Sequence, residues 1–333
     1  MLFKVVTSLT TVFIVTSLAF SIYYFQEVRE IDEEIAAVRR DSEEDRGYRL
    51  ALITEQMDHE YWHIVEEGVR EAETDLDVDV KYLGTRRTNY EEQYRLMDMQ
   101  IAGGVDGIIV QAVSEEMFQP LINKAIDRNI PVVTIDTDAP SSNRLSYIGT
   151  DNYQAGFTAG EALVNDLGET GNIAIITNSL TSTHQRLRVQ GFEDAISEYE
   201  ELEIIRTEVS NNTRIEAEQE ALAILREEEE VDAFYGTSAL DGLGITEALK
   251  EHPQKEEIYT IVFDSLDETL ALLRSGEVDT IISQQPYEMG YKSVETLVGL
   301  LNGESYPEIQ HTVVDVLRQD NLADFPFDGR DPR

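Results

Sequence analysis

The stretch YRLALITEQMDHEYWHIVEEGV, residues 48–69, sets the rhythm of the chain: a short apolar run, a polar turn, then an amphipathic segment. That succession is the pattern of a parallel sheet flanked by helices. Strands are predicted at YRLALIT (48–54), VDVKYLG (78–84), VDGIIVQ (105–111), IPVVTID (130–136) and LSYIGT (145–150), with helical stretches between most of them. The rhythm restarts at NIAIIT (172–177) and continues through LEIIRTE (202–208), VDAFYGT (231–237), IYTIVFD (258–264) and VDTIISQ (278–284). Two similar α/β halves are therefore expected. A length of 333 residues also suits two domains better than one core.

In an open parallel sheet, ligands bind beyond the carboxyl ends of the strands, where loops and helix N-termini converge. The polar residues at those ends are Thr54 and Glu55, Gln111, Asp136 and Thr137, Thr177 and Asn178, Thr237 and Ser238, Asp264, and Gln284. Two lobes facing each other across a cleft would bring several of them onto one enclosed ligand, and hinge closure would exclude water around it.

Within the opening stretch, His59-Glu60-Tyr61-Trp62-His63 fits the H-E-x-x-H pattern of zinc metalloproteases. That chemistry needs both histidines on one face of an established helix, a third ligand, and the glutamate placed to activate a metal-bound water. His59 follows the first strand by only five residues, which puts it in the strand-to-helix loop or the first helical turn, and no third ligand stands out. Tyr61 and Trp62 offer another reading. Flat aromatic faces against the C–H groups of a ring, with carboxylates and amides for its hydroxyls, make a sensible sugar site.

A formal charge of −40 without a basic patch argues against nucleic-acid binding. The chain has no cysteine, which removes disulfides, thiolate metal sites, cysteine nucleophiles and a lipid-modified N-terminal cysteine. Lys4 precedes an uncharged stretch, Val5 to Phe25, long enough to cross a bilayer, and Tyr23, Tyr24 and Phe25 form an interfacial belt. A retained N-terminal membrane helix is expected, with a small-residue cleavage site at Ser17-Leu18-Ala19 as the alternative. The charged segment that follows, up to residue 47, reads as a helical spacer. No P-loop, G-x-G-x-x-G, calcium loop or nucleophile–base arrangement accompanies these features, so no cofactor and no catalysis are expected.

Several phrases, taken in order, resemble the ribose-binding-protein-like, type I periplasmic sugar-binding proteins of ABC transporters. They are ALITEQMDHEYWHIVEEGV (51–69), GVDGIIVQAV (104–113), NIPVVTIDTD (129–138), YIGTDNYQAG (147–156), RLRVQGFEDAI (186–196), FYGTSALDGLG (234–244), YTIVFD (259–264) and IISQQPYEMGYKSVETL (281–297). The resemblance spans residues 48–322. It implies two doubly wound parallel-sheet lobes joined by a three-crossover hinge, with a sugar closed between them. It also implies an N-terminal lobe of residues 48–150 plus 285–312, a C-terminal lobe of 151–284 plus 313–322, and a tail of 323–333.

Carried over by motif, the ligand contacts fall on Glu55, His59, Tyr61, Trp62, Asp136 and Thr137 in the first lobe. In the second they fall on Arg188, Asn212, Thr237 or Ser238, Asp264 and Gln284. Against the ribose pattern, His59 replaces an Asn, Thr137 an Arg, Asn212 an aromatic, and Thr237 or Ser238 an Asn, with a one-residue length difference that brings Asp241 into range. These departures imply a sugar or polyol-like ligand other than ribose.

The resemblance makes an ABC permease the expected partner. The absent lipoprotein cysteine and the N-terminal span add a membrane sensor such as a histidine kinase as the alternative. A zinc hydrolase built on HEYWH is the remote competitor. A lactose-repressor-type regulator is disfavoured by the missing basic helix-turn-helix.

Overall fold

The computed structural model describes residues 47–87, 89–228, 230–250 and 257–325. The expected membrane segment 1–25, nearly all of the spacer and most of the tail lie outside these residues. Among the described residues no helix is long and apolar enough to cross a membrane.

Two six-stranded sheets organise the chain. The first contains β1 (Arg49–Thr54), β2 (Asp79–Gly84), β3 (Gly107–Val110), β4 (Val132–Ile135), β5 (Ser146–Thr150) and β11 (Ile309–Thr312), in the order β11-β5-β4-β3-β1-β2. The second contains β6 (Thr170–Thr177), β7 (Glu201–Val209), β8 (Ala233–Gly236), β9 (Tyr259–Phe263), β10 (Thr280–Ser283) and β12 (Asp315–Leu317), in the order β12-β10-β9-β8-β6-β7. The two orders match strand for strand, so β4 corresponds to β9 and β5 to β10. All pairings are parallel except β10 with β12, which is antiparallel. All ten predicted strands form. β11 and β12 escape the sequence pattern because only one residue of each is buried.

The central strands GIIV and VVTI are buried at every position, as a sheet covered on both faces requires. In the first lobe, α1 (Glu60–Leu76) and α9 (Pro286–Leu301) cover the face carrying Leu50 and Leu52. Helices α2 (Tyr90–Gly103) and α3 (Glu115–Ile126) cover the opposite face, carrying Ala51 and Ile53, so the side-chain period of two divides the strand between two cores. In the second lobe, α4 (Asn152–Leu167) and α5 (Thr183–Ile196) pack on one face. Helices α6 (Arg214–Glu227), α7 (Ala239–Leu249) and α8 (Asp267–Ser275) lie on the other.

The chain passes between the lobes after β5, after β10, and between β11 and β12. The crossing helices meet their neighbours backbone to backbone. A Cβ on Gly156 of α4 would stand 2.0 Å from the carbonyl oxygen of Arg188 on α5, so only glycine lets α4 and α5 approach this closely. That contact fixes where Arg188 begins its reach into the space between the lobes.

Candidate ligand-binding site

At the carboxyl ends of both sheets the loops line a cavity of about 80 Å³, several times the ~10–15 Å³ that a single water needs. Four of its wall residues, Gln56, Asn212, Asp136 and Asp264, have positive φ (44°, 57°, 62° and 71°). Left-handed backbone at non-glycine residues costs about 1–3 kcal/mol each and gathers where a structure must aim side chains.

The two aspartates are structural counterparts. Asp136 follows β4 and Asp264 follows β9. Their amides donate to Ile148 of β5 and Ile282 of β10 respectively, both at 3.0 Å. The Tyr147 hydroxyl holds the Asp136 carbonyl at 2.8 Å, and the Thr269 hydroxyl holds that of Asp264 at 2.6 Å. Asp136 accepts from Tyr61 Oη at 2.9 Å on one oxygen, and from Gln111 Nε2 at 3.0 Å and Thr137 Oγ1 at 2.9 Å on the other. Asp264 accepts from Gln284 Nε2 at 2.7 Å and from the Ala239 amide at 3.3 Å. Two oriented carboxylates thus face one space from opposite lobes.

Arg188 is 3% exposed and pairs with neutral groups: Nε donates to Asn152 Oδ1 and Nη1 to the Thr237 carbonyl, both at 2.8 Å. Its guanidinium carbon lies 4.1 Å from the centre of the Phe263 ring, a cation–π contact. The third nitrogen, Nη2, has no hydrogen-bond partner among the described residues.

On the first lobe, Trp62 is 4% exposed and meets Tyr61 edge to face at 5.4 Å between ring centres. Burial, then the neighbouring Asp136 and Asp264 carboxylates, raise the Tyr61 phenol well above its ordinary pKa. The ring therefore remains a neutral donor to Asp136.

His59 is the N-cap of α1, outside the helix, and its Nδ1 accepts the Tyr61 amide at 3.3 Å. Burial lowers its pKa, against the pull of Asp264 and Glu60. His59 faces the cavity, whereas His63 lines an outer groove with Glu66, Glu67 and Arg70. The i,i+4 relation that the zinc motif needs is broken because its first member is not helical.

The motif's glutamate serves a different end. Glu60 Oε1 accepts the Asp267 amide at 2.8 Å from the opposite lobe. The N-cap of α8 is Leu266, whose side chain offers no acceptor, so Glu60 caps that helix from across the cleft. Beside it, Leu266 and Ala239 share an apolar cluster with Tyr61 and Trp62. The lobes are closed on each other.

The cavity wall brings together Glu55, His59, Tyr61, Trp62, Asp136, Arg188, Asn212, Ser238, Asp264 and Gln284. Thr137 and Thr237 stand behind the wall. Thr137 braces Asp136, and Thr237 supplies a carbonyl to Arg188 and a hydroxyl to Gln185 Oε1. Asp241 is also behind it, fully buried, accepting from Ser210 at 2.5 Å and Ser238 at 2.7 Å, with the Thr237 hydroxyl 3.3 Å away. Burial pushes its pKa up to about 6, with those hydroxyls pulling the other way. Gln111 and Asn178, both at strand ends, join the wall, as do Gln56, His184, Gln185, Ala239 and Leu240. The strand-end rule does not reach His184 and Gln185, which sit in the first turn of α5. Counting back one helical turn from Arg188 would have found them.

Two α/β lobes linked by three chain passages around a polar cavity define the class of a solute-binding protein. The chain belongs to the periplasmic binding protein domain family, whose pattern matches residues 50–305. It is similar to GanP, a glucose-galactose binding protein from Geobacillus stearothermophilus, at 44% identity and a TM-score of 0.81, over 84% of this chain and 99% of that one. The XylFII-LytSN complex contains a chain 34% identical with a TM-score of 0.78, over 82% of this chain and 98% of that one. The ribose import binding protein RbsB of Haemophilus influenzae is 22% identical over 255 residues, covering 77% of this chain and 86% of the relative. The resemblance read from the sequence is borne out, and GanP and RbsB are by name binding proteins.

Proposed function

We propose that this protein is a non-catalytic, extracytoplasmic receptor that captures a monosaccharide or similar polyol between its lobes and presents the closed form to an ABC permease. The observation that carries this reading is the paired arrangement of Asp136 and Asp264. Two carboxylates from opposite lobes, with the Arg188 fork and the Trp62 face beside them, match the edge hydroxyls and apolar faces of one sugar ring. The likeness to GanP favours a hexose such as glucose or galactose, in keeping with the departures of His59, Thr137 and Asn212 from the ribose pattern.

In this reading residues 48–150 with 285–312 form one rigid lobe and 151–284 with 313–322 the other. Residues 1–25 tether the receptor to the outer face of the membrane through the spacer that follows. Glu55, His59, Tyr61, Trp62, Asp136, Arg188, Asn212, Ser238, Asp264 and Gln284 touch the ligand, while Thr137 and Thr237 support them. A second reading, in which the closed form is reported to a membrane sensor kinase, draws on the XylFII-LytSN complex, where a relative is joined to a second protein.

The test is a thermal-shift and calorimetric screen of purified protein against pentoses, hexoses and their disaccharides. One class should raise the melting temperature and bind one to one. A protein that ignores every saccharide removes this function.

A further inference from the structure

His184 lies on the cavity wall in the first turn of α5, four residues before Arg188 and on the same helix face. Its Nδ1 is 2.8 Å from Ser182 Oγ and 3.2 Å from Thr137 Oγ1 of the opposite lobe. The single hydroxyl proton of Thr137 goes to Asp136 Oδ2, at 2.9 Å, because a carboxylate already taking Tyr61 and Gln111 can only accept. Thr137 Oγ1 therefore offers His184 only a lone pair, so this contact is a hydrogen bond only with the hydrogen on Nδ1, where Ser182 Oγ shares it as a second acceptor. Burial, assisted by Arg188, pushes the His184 pKa down to about 4 against the pull of Asp136, so the ring is neutral near pH 7. Nε2 is then a bare acceptor, with no partner among the described residues.

From this geometry we infer that His184 is a specificity-determining residue of the chamber, accepting one hydroxyl proton of the bound sugar at Nε2 while its Nδ1–H bonds across the cleft to Thr137. The inference rests on the sugar-binding reading above. His59 is its complement. Because His59 Nδ1 accepts the Tyr61 amide, its Nε2 carries the hydrogen and donates. The chamber thus holds two histidines in opposite tautomers, one from each lobe, and a ligand is selected by which ring position offers a donor to the second lobe. The same bond couples recognition to closure, since the Nδ1 contact exists only when the lobes meet. Asp136, Thr137, His184 and the sugar hydroxyl form one directional chain in which each hydroxyl or N–H group has a defined acceptor.

The test uses the full-length protein, its best-binding monosaccharide from the screen, and the series of that sugar with each hydroxyl replaced in turn by fluorine, which accepts but does not donate. For the wild type, fluorination at one ring position should weaken binding about 10-fold or more through the lost donor. His184→Ala should weaken the parent sugar and erase the penalty at that position alone. His184→Gln, whose amide oxygen accepts, should restore part of it. Long-range ¹H–¹⁵N spectra of the wild-type imidazole should place the proton on Nδ1 and leave Nε2 unprotonated at neutral pH. Three results overturn the inference while sugar binding stands: a protonated Nε2, fluorination penalties identical in wild type and His184→Ala, or parent affinity unchanged by His184→Ala. If no sugar binds the wild type, the functional reading falls and this inference falls with it.

Discussion

Replacing Glu60 with alanine removes an acceptor that works only when the two lobes are together. The Asp267 amide at the start of α8 then loses its partner, and Leu266 at the N-cap has no side-chain oxygen to substitute. Loss of an N-cap acceptor costs about 1 kcal/mol, and partial exposure of the pair keeps the value from rising further. Because the bond is absent in the open protein, the whole cost appears as a weaker closed state and hence as about a 5-fold loss of ligand affinity. Glu60 also sits in the first turn of α1, where its charge favours the helix in open and closed forms alike, so that contribution shifts the ligand-free melting temperature without touching affinity. Titration calorimetry on wild type and Glu60→Ala with the best-binding sugar separates the two effects. Unchanged affinity, or a loss fully mirrored in ligand-free stability, would refute the role of Glu60 as a cap supplied across the cleft.

Trp62→Ala should weaken sugar binding by about 1–3 kcal/mol through lost ring contact, with the fold retained by circular dichroism; undiminished affinity would remove Trp62 from the site. Gly156→Ala places a methyl against the Arg188 carbonyl and should spread α4 from α5, so affinity should fall even though residue 156 touches no ligand; a crystal structure of the variant should find Arg188 displaced. Asp241 has a folded pKa of about 6, above its ordinary value, so its contribution to stability is complete below about pH 4 and lost as pH rises through 6. Relative to Asp241→Asn, the wild type should therefore lose about 2 kcal/mol of unfolding free energy between pH 4 and pH 7, read from denaturant curves at each pH. Parallel pH profiles for the two proteins would contradict that.

The two-lobed architecture is written in the strand runs because strands covered on both faces must be apolar along their length, as GIIV and VVTI are. β11 and β12 carry no such mark. They are held by edge hydrogen bonds beside β5 and β10, and backbone pairing leaves no trace in side-chain pattern. Asp136, Asp264, Gln111 and Gln284 are legible because the strand order sends the carboxyl ends toward the cavity. Side-chain alternation after the strand is not, which is why Thr137 and Thr237, each next to a wall residue, lie behind it. The spacing of His59 from β1 puts it near the start of α1, yet whether it caps the helix or joins it depends on one backbone turn. That turn separates a pair of metal-competent histidines from a cap and an unrelated surface residue.

The account is tested most directly by small-angle scattering on the purified protein with and without a saturating monosaccharide, paired with calorimetry on the same samples. One sugar bound per chain and a smaller radius of gyration on binding are the expected results, with Asp136→Ala and Asp264→Ala each abolishing both. A protein whose dimensions and heat signal ignore every monosaccharide would contradict it.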